Sequence, residues 1–127
     1  MNSQRSLATL LALLAGLALG QVACSPVQMA YVPAELVDIW ETDNEKYIDR
    51  FFTIRGTTIT FGTGEGGSET YIITNVERVP FVGDSLYTVE YTNSEGDPYR
   101  FSLFFRRGET DQIRLRNQRA IVWVRRR

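Results

Sequence analysis

The chain is poor in the residue types that catalyse reactions. Its 127 residues include no histidine, one cysteine (Cys24) and one lysine (Lys46). The absence of histidine excludes Ser-His-Asp and Cys-His nucleophile systems, histidine-containing zinc sites and the commonest general base. No S-x-x-K motif leads to Lys46, and none of the fifteen carboxylates stands out as half of an acid–base pair. We therefore expect a protein that is not an enzyme.

One glycine cluster has the spacing of a dinucleotide-binding fingerprint. Gly62, Gly64 and Gly67 form G-x-G-x-x-G after a strand-like segment. In a nucleotide site this pattern leads into a helix whose N-terminus holds the pyrophosphate. Here it leads into residues 69–74, which are rich in β-formers. The pattern predicts a glycine-rich hairpin loop from Gly62 to Ser68, and no cofactor.

An acidic segment has the alternation that opens an EF-hand calcium loop. Glu41, Asp43 and Glu45 are spaced at every second residue. However, Lys46 stands where the loop requires glycine, and Phe52 stands where it requires a bidentate glutamate. The segment is therefore interpreted as a solvated acidic turn, and no metal is expected.

The N-terminal segment has the organisation of an export signal. Arg5 precedes an apolar run over residues 7–19, which is shorter than the roughly 20 residues that span a bilayer. Small residues follow the run, as a cleavage site requires. Residues 1–23 are therefore predicted to be a signal peptide.

Two cleavage sites are compatible with the sequence. Ala18-Leu-Gly20 suits ordinary signal peptidase, which would leave a soluble periplasmic or secreted protein. Gln21-Val-Ala-Cys24 resembles a bacterial lipobox, although Gln21 occupies the position where Leu is preferred. This resemblance implies that Cys24 is acylated by a fatty acid such as palmitate. We favour the lipoprotein, anchored to a membrane of the cell envelope, because an unpaired thiol is a liability in an oxidising compartment.

The mature chain divides into a short tether, residues 24–34, and one domain, residues 35–127. About 100 residues support one hydrophobic core. Seven Phe, six Tyr and two Trp are available to fill it. Residues 25–77 carry nine acids against three bases, whereas residues 78–127 carry ten arginines against six acids. Nucleic acid is not expected as a partner of an exported protein. The arginines either pair with acids on neighbouring strands or contact anionic lipid head groups or lipopolysaccharide phosphates.

Apolar and polar residues alternate with period two along most of the domain. Segments of this kind recur about every ten residues, separated by turn signals such as Gly83-Asp84 and residues 93–97. The pattern predicts an all-β fold, an antiparallel up-and-down β-barrel of about eight strands. Closing the sheet removes edges that would otherwise promote aggregation. An open β-sandwich is the alternative.

The start of the domain resembles lipocalin-like (calycin) barrels. The resemblance rests on residues 36–42 around Trp40, on the strand-like residues 51–54 and 58–61, and on the strand count. Asp38 stands where that family has glycine. The resemblance, closest to short lipocalin-like domains of bacterial envelope proteins, implies that Trp40 closes one barrel end beneath an arginine from near the last strand. The sequence leaves three candidates for this arginine open: Arg114, Arg116 and Arg125.

Aromatic residues of the second half alternate on neighbouring strands and are the candidate ligand-binding residues: Tyr87, Tyr91, Tyr99, Phe101 and Phe105. If they line a cavity, the protein binds an apolar or amphipathic small molecule, and the cavity opens near the predicted glycine loop. If they fill the barrel, the protein is a structural or protein-interaction module of the envelope. Its contact face would then include the outer arginines and Phe104, which is apolar on the polar face. The first function is the one we expect.

Overall fold

The structure is a computed structural model that describes residues 26–29 and 31–127. The predicted signal peptide and Cys24 lie outside the described residues. Nine strands are present: β1 (Val27–Met29), β2 (Asp38–Glu41), β3 (Phe51–Arg55), β4 (Thr58–Gly64), β5 (Gly67–Phe81), β6 (Asp84–Thr92), β7 (Pro98–Arg106), β8 (Gln112–Leu115) and β9 (Gln118–Arg125). Two short 3-10 turns, Ala34–Leu36 and Glu45–Tyr47, flank β2. No helix in the described ranges is long and apolar enough to cross a membrane.

Strands β2 to β9 form a closed antiparallel barrel in which each strand pairs with the next in sequence. The barrel closes where β9 pairs with β2, with Trp40 opposite Arg125 and Glu41 opposite Val124. The predicted eight-stranded up-and-down barrel is therefore confirmed, and the open sandwich does not form. Because every barrel strand has two neighbours, only β1 and the unpaired strand ends leave backbone groups for other partners.

Strand β1 lies outside the barrel and pairs with the second half of β5, with Val27 opposite Arg78 and Met29 opposite Val76. Residues 27–29, which the sequence analysis assigns to the tether, thus continue the sheet as a ninth strand. Strand β5 offers an edge for this pairing because its fifteen residues extend beyond β4, which pairs only up to Ile72.

The glycine cluster forms a tight hairpin instead of the predicted loop over residues 62–68. Strand β4 continues to Gly64 and β5 begins at Gly67. The two residues between them, Glu65 and Gly66, have φ values of 54° and 77°. Positive φ at both central residues is the geometry of a type I′ turn, whose twist matches that of the flanking strands.

The two ends of the barrel differ, and we name them by their residues. At the closed end, where β2 begins, the 3-10 turn Ala34–Leu36 lies beneath the barrel, and Leu36 is fully buried. The β5–β6 turn at Val82 and the start of β1 lie at this same end. The tyrosine end carries the turn at Glu65 and a group of partly exposed tyrosines on β5, β6 and β7.

Candidate functional site

Trp40 lies at the closed end, fully buried, with its indole N–H donating to the carbonyl of Leu36 at 3.0 Å. The guanidinium carbon of Arg125 lies 4.5 Å from the centroid of the Trp40 ring. A cation over an aromatic face is attracted by the quadrupole of the ring. Arg125, among the three candidate arginines, is therefore the one that covers Trp40.

Arg125 also ties the loops of the closed end together. Its guanidinium donates to the carbonyl of Glu35 at 2.6 Å and to the carboxylates of Asp38 and Asp111, both at 3.2 Å. The Glu35 carboxylate in turn accepts hydrogen bonds from Tyr87 Oη and from Arg107. These contacts join the N-terminal segment, the β7–β8 loop and β9 around Trp40, so the Trp40 ring is covered at this end.

Aromatic rings continue from Trp40 up the barrel axis. Trp40 contacts Phe105 edge-on and stacks on Phe52, with 6.4 Å between centroids in each case. Phe52 lies 5.4 Å from Phe101, and Phe101 lies 5.3 Å from Phe61. Centroid separations of 4.5–7 Å are those of aromatic pairs in direct contact. These five rings, which we call the aromatic column, fill the axis of the barrel.

Three tyrosines extend the column to the tyrosine end. Tyr91 lies 5.1 Å from Tyr71 and stacks on Tyr99 at 5.5 Å. Tyr99 is 45% exposed, so this end meets solvent. The Tyr71 hydroxyl donates to the Glu69 carboxylate at 2.7 Å, and this hydrogen bond is the main cause that raises the pKa of Tyr71 to about 12. Burial raises the pKa of Tyr91.

The five predicted ligand-binding residues are therefore spread along the axis. Tyr91 and Tyr99 line a cleft of about 320 Å³ together, and the other three lie deeper in the barrel. Tyr87 and Phe105 are buried in the closed half. Phe101 is half-buried in the middle, and Tyr91 and Tyr99 belong to the tyrosine end. All five contribute to the inner face, as their alternation predicts, but they contact other side chains there.

A cleft of about 430 Å³ opens in the wall beside Phe101. It exists because β8 pairs only with residues 103–106 of β7, which leaves the first half of β7 with no strand on that side. The cleft is lined by Phe101 and Ser102 and flanked by Arg100 and Arg116. The guanidinium of Arg100 is held at 3.0 Å by Glu90.

A second site with apolar and basic side chains lies on the outer wall. It includes Phe104, the apolar residue on the polar face of its strand. Phe104 is 6% exposed although it points away from the barrel core, because Phe81 packs on it at 5.0 Å and Arg119 lies 4.3 Å above its ring. A groove of about 250 Å³ runs over these side chains, lined also by Val82, Asp84, Arg106 and Arg114. We call it the Phe–Arg groove.

The arginines of this groove differ in how they are paired. Arg106 makes a two-point contact with Asp84, at 2.6 and 3.3 Å. Arg114 and Arg119 make no ion pair with any described residue, and the buried Nε of Arg114 has no hydrogen-bond partner there. Phe81 and Val82 could not be identified as site residues from the sequence, because Phe-Val-Gly-Asp signals only a turn. The groove therefore combines an apolar floor with two uncompensated positive charges.

The acidic residues do not assemble a metal site. Across residues 26–29 and 31–127, no group of three or more His, Cys, Asp or Glu side chains is placed to hold a metal ion. The carboxylate of Glu41 pairs instead with Arg126 at 2.9 Å.

Comparisons with known proteins give no relative for this chain. No family model matches it, and neither the curated proteins nor the solved structures contain a match. Functional inference therefore rests on the residues and their geometry.

Proposed function

We propose that the protein is an exported, lipid-anchored module of the cell envelope that acts through the outside of a filled barrel and is not an enzyme. The aromatic column is the observation that carries this proposal. An eight-stranded barrel has room inside for side chains or for one small ligand. With five rings in contact along the axis and Trp40 sealed by Arg125, the interior is taken up by the chain itself.

Export and anchoring are supported by the sequence of the first 24 residues and by the unpaired Cys24. The direct test is metabolic labelling of growing cells with a radioactive fatty acid. We expect label in the wild-type protein and none in Cys24→Ala, with the wild-type band in the membrane fraction. A mature wild-type protein without label, found in the soluble fraction, would overturn the anchor and favour the ordinary signal-peptidase site.

A filled barrel and a ligand carrier respond differently to apolar compounds. We expect the melting temperature to stay constant across a panel of fatty acids and phospholipids added below their micellar concentrations. In-cell photocrosslinking from the outer wall is expected to trap a neighbouring component of the envelope. A saturable rise in melting temperature that survives Arg114→Gln but is lost in Phe101→Ala would contradict the proposal.

The cleft beside Phe101 supports a second candidate function, the binding of a small amphipathic anion. Phe101 supplies an apolar surface, and Arg116 makes no ion pair with a described residue. In this case a fatty acid would raise the melting temperature of the wild type but not that of Arg116→Gln. The carboxylate-free alcohol of equal length should have no effect on either protein.

Kinship with the short lipocalin-like domains of bacterial envelope proteins is part of this proposal. It is supported by the closed barrel and by the pairing of Trp40 with Arg125 from the last strand, which is the arrangement that the resemblance implies.

A further inference from the structure

We propose that the β5–β6 turn and the Phe–Arg groove dock on the surface of an anionic phospholipid bilayer. The inference rests on the proposed function, because it takes the bilayer to be the one that holds the acyl anchor at Cys24. It adds a second, non-covalent contact that fixes the orientation of the barrel on the membrane.

The chain brings its anchor to the same end as this turn. Val27 is paired with Arg78, only three residues before Phe81. Cys24 precedes Val27 by three residues, and three residues span at most about 10 Å. An acyl chain on Cys24 therefore enters the bilayer close to the closed end, where the β5–β6 turn projects.

The residues at the tip of this turn do not stabilise the fold. Val82 is 92% exposed and has a φ of 25°, and Gly83 follows with a φ of 81°. A turn with positive φ at both positions favours Asn or Asp in the first, whereas a β-branched residue is an outlier there. Phe81, beside it, is 42% exposed. Two apolar side chains at a projecting tip are explained if the tip enters the interfacial region of a membrane.

The charges around the tip suit a phosphate surface. At the closed end four carboxylates, those of Glu35, Asp38, Asp84 and Asp111, pair with only three arginines, Arg106, Arg107 and Arg125. Arg114 and Arg119 keep their charge uncompensated by any described carboxylate. A guanidinium presents a planar fork that matches phosphate oxygens, and both arginines line the groove. Exposed Glu109 is the one carboxylate of the described loops at this end without an ion pair. The lining of the groove itself contains three arginines and one carboxylate, so the excess of positive charge lies in the groove.

A phospholipid surface matches both halves of the site. Its phosphates would meet the arginines while the glycerol and upper acyl region would receive Phe81 and Val82. A soluble acidic protein would satisfy the arginines, but it would also need an apolar recess beside its carboxylates to cover Phe81 and Val82. For this reason we assign the site to a membrane and make a protein partner an outcome of the test.

The test places a fluorescent reporter at the tip of the full-length protein reconstituted in vesicles. Val82→Trp adds an indole to a chain whose own tryptophans are 0% and 4% exposed. Ile48→Trp is the matched control, since Ile48 is also apolar and 68% exposed but follows the 3-10 turn Glu45–Tyr47 at the other end. Vesicles contain either phosphatidylcholine alone or added phosphatidylglycerol, with brominated acyl chains as quenchers.

We expect the indole of Val82→Trp to shift to shorter wavelength and to be quenched in the anionic vesicles, while that of Ile48→Trp stays in water. Adding Arg114→Gln and Arg119→Gln should lower the docked-to-undocked ratio about fivefold per charge removed. Lys46→Gln with Arg50→Gln removes the same charge from the tyrosine end and should leave the ratio unchanged. Melting curves of all variants confirm that each is folded.

Flotation of the same vesicles separates the two possible failures. A protein that does not float with the vesicles overturns both the anchor and the docking. A protein that floats while both indoles remain in water overturns the docking alone. If the indole shifts but docking is equally strong on neutral vesicles, the role of the groove is overturned. The same holds if the control pair of substitutions weakens docking as much as Arg114→Gln with Arg119→Gln. If Arg114 and Arg119 capture an acidic protein and the indole does not shift on vesicles, the surface belongs to a protein partner. That result also overturns the docking on a membrane.

Discussion

Arg125 is expected to contribute more to the free energy of unfolding than an ordinary exposed arginine, because it covers Trp40 and joins three segments of the chain. Its side chain is 30% exposed and makes a cation–π contact of about 1 kcal/mol. It also donates to one carbonyl and two carboxylates, which after discounting for solvent we take together as about 2 kcal/mol. Arg125→Ala should therefore lower the free energy of unfolding by about 3 kcal/mol.

For a domain of this size, each kcal/mol corresponds to about 4–8 °C in melting temperature, so we expect a drop of about 12–24 °C. Arg125→Lys keeps the charge over the ring but loses the planar fork, and should lose about half as much. The assay is urea unfolding followed by near-ultraviolet circular dichroism, which reports the environment of the tryptophans.

Arg126→Ala is the matched control. Arg126 also makes an ion pair, at 2.9 Å to Glu41, and lies 5.4 Å from the ring of Phe51. Both charged groups are largely exposed, so its loss should cost less than about 1 kcal/mol. The reasoning is refuted if Arg125→Ala costs no more than Arg126→Ala, or if Arg125→Lys is as stable as the wild type.

Three further predictions concern the aromatic column, the tyrosine end and the β5–β6 turn. Phe52→Ala should cost about 3–5 kcal/mol in urea unfolding, because Phe52 is 2% exposed at the centre of the aromatic column; a loss below about 1 kcal/mol would mean that the column is loosely packed. The raised pKa of Tyr71 contributes stability that is fully present below pH 10 and is lost as the pH rises through about 12. Glu69→Ala removes the acceptor that is the main cause of that shift, so ultraviolet titration of the phenolate should give a lower pKa for Tyr71. An unchanged curve would count against the hydrogen bond. Val82→Asn should raise the free energy of unfolding by about 1 kcal/mol, and with it the melting temperature, because Asn tolerates positive φ. A lower melting temperature would contradict the turn geometry.

The barrel could be predicted because its determinants are local. Alternation with period two along β6 and β7 specifies which side chains face inward, and the turn signals between segments specify that neighbours in sequence pair. Strand β1 could not be predicted in the same way, since three residues carry no usable period. It forms because β5 is longer than β4, so the second half of β5 has a free edge on that side. This edge is a property of the sheet and has no signal in residues 27–29.

The functional residues were only partly predictable for a related reason. Trp40 was identified from its motif, but three arginines near the C-terminus have the same chemistry, and only closure of β9 on β2 places Arg125 above the ring. Phe104 stood out as apolar on a polar face. Its partners Phe81 and Arg119 come from different strands, so their convergence depends on the twist of the barrel and has no signal in the sequence.

The central claim is that the chain itself fills its barrel, and xenon tests it most directly, because xenon enters apolar cavities that water leaves empty. Crystals of the wild type under xenon pressure should show no xenon inside the barrel. Crystals of Phe52→Ala should show it at the position of the missing ring. Xenon bound between Phe52, Phe61 and Phe101 in the wild type would contradict this claim. It would mean that the barrel contains a cavity that a ligand could occupy.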